Sequence, residues 1–146
     1  MQLTPTQEKQ FFQQTARPYS RYTPSYFYSL QENTPNRQEI TVLTYDGEYM
    51  STLWRLVYDA RHRLISRQRV AGYGADGEQQ TSITGLFETP ARFRQTVLDK
   101  WSTEDSTLTR YEVDSTVTHY AVAQEKFRQL RQRTYKRQYT RPLNPE

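Results

Sequence analysis

The chain is 146 residues long, carries a net charge of +4, and contains 34% hydrophobic and 14% aromatic residues. The length suits a single domain. Because disordered chains are poor in aromatic residues, the composition predicts a folded protein with a thin, tyrosine-weighted core. The absence of cysteine excludes disulfides, thiolate zinc sites and a cysteine nucleophile, and no stretch approaches the ~18 apolar residues of a transmembrane helix.

A short helix is predicted near the N-terminus, over residues 5–16. Thr4 has the position of an N-cap, Pro5 suits the first helical position, and Gln7 completes a capping box. Pro18 ends the helix, because proline disfavours helical geometry in the residue before it. We expect this helix to lie across one face of a sheet.

Residues 17–37 are predicted to form a connection, since Pro18, Pro24 and Pro35 are spaced along them. The simplest interpretation is a loop that its aromatic rings pin to the domain. The alternative is a stacking surface for bases or sugars, supplied by five neighbouring rings: Tyr19, Tyr22, Tyr26, Phe27 and Tyr28.

Residues 38–122 alternate apolar and polar side chains in short runs, separated by turn signals such as Asp46-Gly47. The close spacing of these runs leaves no room for crossover helices, so the strands must pair antiparallel. Seven strands are predicted, over residues 38–45, 49–58, 63–71, 79–88, 92–101, 106–113 and 116–122.

The segment from Gly72 to Gly77 matches the pattern G-x-G-x-x-G. A dinucleotide site needs a helix straight after such a loop, because the helix N-terminus holds the pyrophosphate. The residues from Glu78 to Thr84 indicate a strand instead. The prediction is therefore a hairpin turn at Asp76-Gly77.

Residues 123–139 permit two interpretations. Ala123, Phe127 and Leu130 follow helical spacing, and the composition is rich in good helix formers. From Phe127 onward the chain also alternates as a strand does. We favour a basic helix over a strand, followed by a disordered tail over residues 142–146.

Together these elements predict one α+β domain over residues 1–141. Its centre is an antiparallel β-meander of about seven strands, packed on one face by the N-terminal helix and followed by the C-terminal basic helix. A closed up-and-down β-barrel is the alternative, because sequential antiparallel strands can close and so remove their edges.

No catalytic, cofactor or metal site is predicted. His62 and His119 stand alone, without metal-ligand spacing. Glu112 and Asp114 share a strand face with Arg110, and a solvated strand face explains that pattern without acid–base chemistry. An enzyme whose site assembles only in space is the least favoured class.

Basic residues concentrate at the C-terminus. Residues 126–146 hold seven cations and one acid, whereas the rest of the chain holds 13 cations and 15 acids. Cations interleaved with aromatic rings are typical of nucleic-acid surfaces, and anionic lipid suits the charge equally well. The alternative is a solvated segment whose cations pair with acids of the sheet, such as Glu78, Glu88 or Glu104.

The sequence alone does not define a function. The favoured hypothesis is a non-enzymatic binding module with a Tyr/Arg-rich surface, since both residue types are common interface anchors. Its predicted partner-binding residues are Lys126, Arg128, Arg131, Arg133, Tyr135, Lys136, Arg137 and Tyr139.

Two other functions are kept as alternatives. The basic C-terminal segment would make the protein a nucleic-acid binder. A sheet curled around a cavity would make it a carrier of small hydrophobic ligands. That cavity would be lined by Trp54, Phe87, Phe93, Val97 and Trp101.

The partner and the compartment are weakly constrained. A protein or peptide partner is slightly favoured over nucleic acid, which would bind through the C-terminal arginines. The N-terminal residues show no signal-peptide pattern. We expect a soluble chain, either cytoplasmic, or secreted or periplasmic without its signal peptide.

Overall fold

The structure, a computed structural model, describes residues 1–13, 24–46 and 49–143. These residues form one α-helix and eight β-strands, and each strand pairs antiparallel with the next in chain order. No helix in this described part of the chain is long and apolar enough to cross a membrane. The elements are α1 (Pro5–Phe12), β1 (Ser25–Thr34), β2 (Arg37–Asp46), β3 (Met50–Asp59), β4 (Leu64–Asp76), β5 (Gln79–Thr89), β6 (Arg92–Glu104), β7 (Leu108–Ala123) and β8 (Lys126–Pro142).

The helix begins as predicted. Thr4 is extended, and its hydroxyl accepts a hydrogen bond from the Gln7 N–H at 3.3 Å. The Gln7 side chain accepts in return from the Thr4 N–H at 2.9 Å, which completes the capping box. Two of the N–H groups that a helix start leaves unpaired are thereby satisfied.

The helix ends sooner than predicted. Gln13 takes a left-handed conformation, with φ of 46°, and terminates α1 after Phe12. The Gln13 side chain then ties the helix to the β3–β4 loop. It donates to the His62 carbonyl at 2.6 Å and accepts from the Leu64 N–H at 2.7 Å. The remaining predicted helical positions, 14–16, lie outside the described residues.

α1 packs on one face of the sheet, over β2 and β3. Phe12 meets Trp54 edge to face, with 6.3 Å between the ring centroids. The Tyr58 hydroxyl donates to the Phe11 carbonyl at 2.6 Å, and burial raises the pKa of this hydroxyl. The helix and the sheet together bury one hydrophobic core. Its buried residues are Leu3, Phe12, Ile40, Val42, Leu56 and Tyr58.

Strand β1 corrects the predicted connection over residues 17–37. The prolines of the described part bracket this strand rather than interrupt it, since Pro24 precedes it and Pro35 lies in the turn that follows. Aromatic residues favour strands, so the ring-rich stretch pairs with β2. Positions 17–23 lie outside the described residues.

Strands β2, β3, β5 and β6 follow the predicted runs to within three residues at each end, whereas β4 continues five residues beyond its predicted end and includes Gly72 and Gly74. The hairpin at Asp76-Gly77 is confirmed, because it joins β4 to β5 and Gly77 has φ of 54°. That left-handed conformation is one that glycine adopts without steric cost. The other predicted turn, Asp46-Gly47, falls partly on positions outside the described residues.

The predicted strands 106–113 and 116–122 are one strand, β7. Asp114 and Ser115 pair with Asp99 and Leu98 of β6 rather than turning the chain. Asp and Ser are turn residues in isolation, but on a half-solvated sheet they can occupy strand positions at little cost. This merger, together with the additional strands β1 and β8, changes seven predicted strands into eight.

The C-terminal segment is a strand, so the favoured basic helix is wrong. β8 pairs with β7 from Lys126 to Pro142. Intrinsic helix preference amounts to less than ~0.7 kcal/mol per residue. The backbone of β7 outweighs it by offering β8 partners for its N–H and C=O groups. After Pro142, the Leu143 N–H donates to the Thr107 carbonyl, and residues 144–146 of the predicted disordered tail lie outside the described residues.

The sheet stays open, so the alternative of a closed barrel is wrong. Within the described residues, β1 and β8 are the two edges and do not pair with each other. The chain's own N-terminus covers the outer side of β1, because the Leu3 N–H donates to the Ser25 carbonyl at 2.7 Å and the Phe27 N–H to the Met1 carbonyl at 2.8 Å. These bonds cover only the start of β1, so the rest of β1 and the whole of β8 remain edges of the sheet within the described residues.

Candidate functional site

Five charged residues from both ends of the sheet meet in a partly buried network, which we call the internal ion cluster. Its members are Glu32, Arg37, Glu39, Arg55 and Glu125. Arg55 is only 8% exposed. Its guanidinium donates to Glu39 at 2.8 Å and to Glu125 at 3.0 Å, so the β7–β8 turn is held against β2 and β3.

The internal ion cluster perturbs the ionisation of its own members. Burial disfavours the Glu39 carboxylate, but the guanidinium groups of Arg55 and Arg37 outweigh burial and lower the pKa of Glu39. Burial likewise disfavours the charge on Arg37, and hydrogen bonds to Glu39 and Glu125 outweigh it and raise the pKa of Arg37. Because the two arginines, Arg37 and Arg55, are already paired with Glu39 and Glu125, the internal ion cluster has a structural role.

Acid is expected to weaken the internal ion cluster. The pKa of Glu39 is lower in the folded chain than in the unfolded chain, where it is ~4.3. The carboxylate therefore stabilises the fold above about pH 5, and this contribution is lost as the pH falls through the folded pKa. We expect the free energy of unfolding, measured in urea, to fall more steeply below about pH 5 for the wild type than for Glu39→Gln. Parallel pH profiles for the two proteins would contradict this expectation.

The outer face of β6, β7 and β8 gathers most of the cations of the C-terminal half. Directly paired residues of antiparallel strands share a face, and the pairing carries one face across all three strands, for example through Lys100, Val113 and Arg137. We call this surface the basic face. Its cations are Arg92, Arg94 and Lys100 of β6 and Lys126, Arg128, Arg131, Arg133, Arg137 and Arg141 of β8.

A bulge in β8 extends the basic face. The register of β8 shifts by one residue, because His119 pairs with Arg131 whereas Tyr120 pairs with Gln129, which leaves Leu130 as the extra residue. Without this bulge, Arg128 would point to the opposite face from Arg131. With it, both arginines lie on the basic face.

The opposite face of the same three strands is slightly acidic. It carries Asp99, Glu112 and Asp114, against the cations Arg110 and Lys136. Lys136 pairs with Asp114 at 3.1 Å. Among the paired residues of β6 to β8, Glu104 is the one acid on the basic face. The sheet is therefore electrostatically two-sided.

The basic face also carries three tyrosines: Tyr111, Tyr135 and Tyr139. Tyr111 and Tyr139 stack, with 4.8 Å between centroids and 22° between ring planes. The Lys100 ammonium lies 4.3 Å from the Tyr111 centroid, and the Arg137 guanidinium lies 5.0 Å from that of Tyr139. Tyr135 is 57% exposed.

The arginines of β8 are not neutralised by the sheet. Within the described part of the chain, no carboxylate forms an ion pair with Arg128, Arg131, Arg133, Arg137 or Arg141. Glu88, which we considered as a docking partner for the tail, pairs with Arg94 at 3.3 Å instead. Glu104 accepts a hydrogen bond from the Thr109 hydroxyl.

Seven of the eight predicted partner-binding residues lie on one face. Lys136 is the exception, because its position in β8 points it to the acidic side. The sequence reasoning missed the β6 cations Arg92, Arg94 and Lys100, and also Tyr111. A signal for the β6 cations was present: the alternation that placed Phe93 on one face of β6 implies that its neighbours Arg92 and Arg94 lie on the other.

Four of the residues predicted to line a cavity, Phe87, Phe93, Val97 and Trp101, share one face of β5 and β6, whereas Trp54 lies against α1. Trp54 packs on α1 and donates to the Thr44 hydroxyl at 3.0 Å. Phe87 and Phe93 contact each other, whereas Val97 and Trp101 lie further along β6. A surface pocket of about 510 Å³ adjoins Phe93. Polar and charged side chains line much of it: Glu88, Arg92, His119 and Arg131.

The histidines and acidic residues that the sequence analysis weighed as catalytic or metal-binding candidates do not come together in one site. His62 lies in the β3–β4 loop, and His119 contacts Arg131 on the basic face at 3.3 Å. Glu112 accepts from the Gln138 side chain at 3.0 Å on the opposite face. Nowhere in residues 1–13, 24–46 and 49–143 do three His, Asp or Glu side chains group closely enough to hold a metal ion.

These observations define the chain as an open, eight-stranded antiparallel meander with one basic and one slightly acidic face. No known protein family, curated protein or solved structure matches it.

Proposed function

We propose that this protein is a non-enzymatic binding module whose basic face binds a polyanionic partner. The observation that carries the proposal is that the arginines of β8, with which no carboxylate of the described residues pairs, lie together with the β6 cations on a single face. Like charges repel one another, so gathering them costs free energy unless a partner of opposite charge binds. A polyanion spreads its anionic groups over a distance that matches the row of cations along β8, which a small ligand cannot span.

The chemistry of the side chains supports an anion with oxygen acceptors. Six of the nine cations are on β8, and four of those, Arg131, Arg133, Arg137 and Arg141, follow one another along a single side of the strand. The planar guanidinium presents donors in a fork that matches phosphate, sulfate and carboxylate groups. Exposed arginines that no sheet acid pairs with keep these donors available for a partner.

We expect neutralisation of the basic face to weaken polyanion binding. The double variant Arg133→Gln/Arg137→Gln removes two charged donors, and each charged hydrogen bond contributes about 1.5–3 kcal/mol. Binding to heparin, measured by titration calorimetry, should weaken at least about tenfold. The matched control is Arg110→Gln/Lys136→Gln, which changes the net charge equally on the opposite face of the same strands.

Comparing the two double variants distinguishes binding by the basic face from binding that depends only on the net charge of the protein. If the two double variants lose heparin affinity equally, the binding depends on overall charge and the proposed surface is wrong. Both variants change exposed side chains, so each is expected to unfold at the wild-type denaturant concentration. A protein or peptide partner stays a prediction. If the partner is a peptide, we expect the basic face to bind an acidic one.

A further inference from the structure

We propose that the polyanion is a single-stranded nucleic acid that lies along β8, with phosphates on its arginines and bases on its tyrosines. This inference rests on the proposed function of the basic face. Charge alone would suit any polyanion. The rings placed among the charges supply the feature that selects nucleic acid.

Cations and rings form one row on β8. Every second residue from Arg131 to Arg141 points to the basic face, in the order Arg131, Arg133, Tyr135, Arg137, Tyr139 and Arg141. Same-face neighbours on a strand stand ~7 Å apart, which is close to the spacing of successive phosphates in an extended single strand. A strand of nucleic acid laid along this row meets a cation or a ring at each step.

Tyr135 is the ring best placed to receive a base. It is 57% exposed, and the described residues provide it with no ring or hydrogen-bond partner. Arg133 and Arg137 flank it on the same face. A base stacked on this ring would bury apolar surface that the folded protein leaves in water, while its neighbouring phosphates lie within reach of both guanidinium groups.

The stacked pair Tyr111–Tyr139 lies two same-face positions further along the row, where its rings stack on each other and hold neighbouring cations rather than offering a free face to a base. Lys100 and Arg137 contact the faces of these rings, and the Arg141 guanidinium lies 5.8 Å from the Tyr111 centroid and 5.7 Å from that of Tyr139. These contacts hold the rings and cations in place before a ligand arrives, which lowers the entropy cost of binding.

A single strand fits this row better than a duplex does. In a duplex the base faces are stacked on one another, so the tyrosines could reach only phosphates and groove edges. A surface that bound duplex through charge would also have no use for an exposed ring between two arginines. The face of a sheet carrying aromatic rings is a common platform for unstacked bases.

The test is fluorescence anisotropy with a labelled oligothymidylate of about 12 nucleotides, and with a duplex of the same length. We expect the single strand to bind more tightly than the duplex. We expect Tyr135→Ala to weaken single-strand binding at least about fivefold, since stacking on an aromatic ring contributes a few-fold to a hundred-fold per base. Tyr135→Phe keeps the ring and should restore the affinity. Tyr28→Ala removes a tyrosine that is 66% exposed on β1 and should leave binding unchanged.

Phosphate contacts can be recognised by the salt dependence of the binding affinity. The logarithm of the affinity for a single strand falls with the logarithm of salt concentration, with a slope of about −0.7 per phosphate neutralised. We expect Arg133→Gln/Arg137→Gln to make that slope shallower by about 1.4, and Tyr135→Ala to leave it unchanged.

The outcomes separate the two proposals. Tighter binding of the duplex, or an unchanged single-strand affinity in Tyr135→Ala, would overturn the nucleic-acid inference. If heparin binding still depended on Arg133 and Arg137, the polyanion-binding function would stand. If the double variant Arg133→Gln/Arg137→Gln bound heparin as tightly as the wild type, both the proposed function and this inference would be wrong.

Discussion

Replacing Arg55 with methionine is expected to lower the free energy of unfolding by about 3 kcal/mol. Methionine keeps much of the side-chain volume but removes the guanidinium that bonds Glu39 and Glu125. Removing one partner of a buried ion pair is costly, because the remaining charges lose their compensation while they stay out of water. Equilibrium denaturation in urea measures the change, with the midpoint and the slope fitted together.

The matched control for Arg55 is Arg63→Met. Arg63 pairs with Asp59 at 2.7 Å, but it is far more exposed than Arg55, and exposed ion pairs contribute about 0–1 kcal/mol. Two N–H bonds still hold Asp59 after that change, one from each of residues 61 and 63. Equal costs for Arg55→Met and Arg63→Met would show that the internal ion cluster behaves as a surface network and does not anchor the β7–β8 turn.

Phe93→Ala is expected to cost about 3–5 kcal/mol. Phe93 is 1% exposed. Its ring centroid lies 4.8 Å from that of Phe87, 5.4 Å from that of Phe127 and 6.0 Å from that of Tyr120. Truncation removes the central ring of this group and leaves a cavity that the neighbouring strands can fill only in part. The measurement is the same urea denaturation.

Leu86→Ala is the control for Phe93→Ala. Leu86 lies on β5 beside Phe87 and is exposed, so its truncation should cost less than about 1 kcal/mol. If Phe93→Ala also cost less than about 1 kcal/mol, the rings around it would not be packed as a core. That result would favour the carrier of small hydrophobic ligands over a filled interior.

Stability and binding are separable in this architecture. The residues that hold the sheet together, such as Phe93 and Arg55, are buried. The proposed ligand contacts Arg133, Tyr135 and Arg137 are exposed on the edge strand. Because surface substitutions usually change stability by less than about 0.5 kcal/mol, changes in binding by the variants of the basic face can be interpreted without a folding correction.

The sequence by itself determined the features that depend on neighbours along the chain. The capping box at Thr4 and the turn at Gly77 are local, since every participating group lies within a few residues. The antiparallel meander followed from short runs with no room for crossovers. The charge imbalance of the C-terminus followed from composition.

The tertiary structure alone decided the features that depend on distant partners. The bond from Arg55 to Glu125 joins residues 70 positions apart, and no local signal marks such a pair. β8 became a strand because β7 was there to pair with it, which the helical spacing of its own residues could not reveal. The basic face required that pairing as well, since Arg94 and Arg131 share a surface only when β7 sets both strands in register.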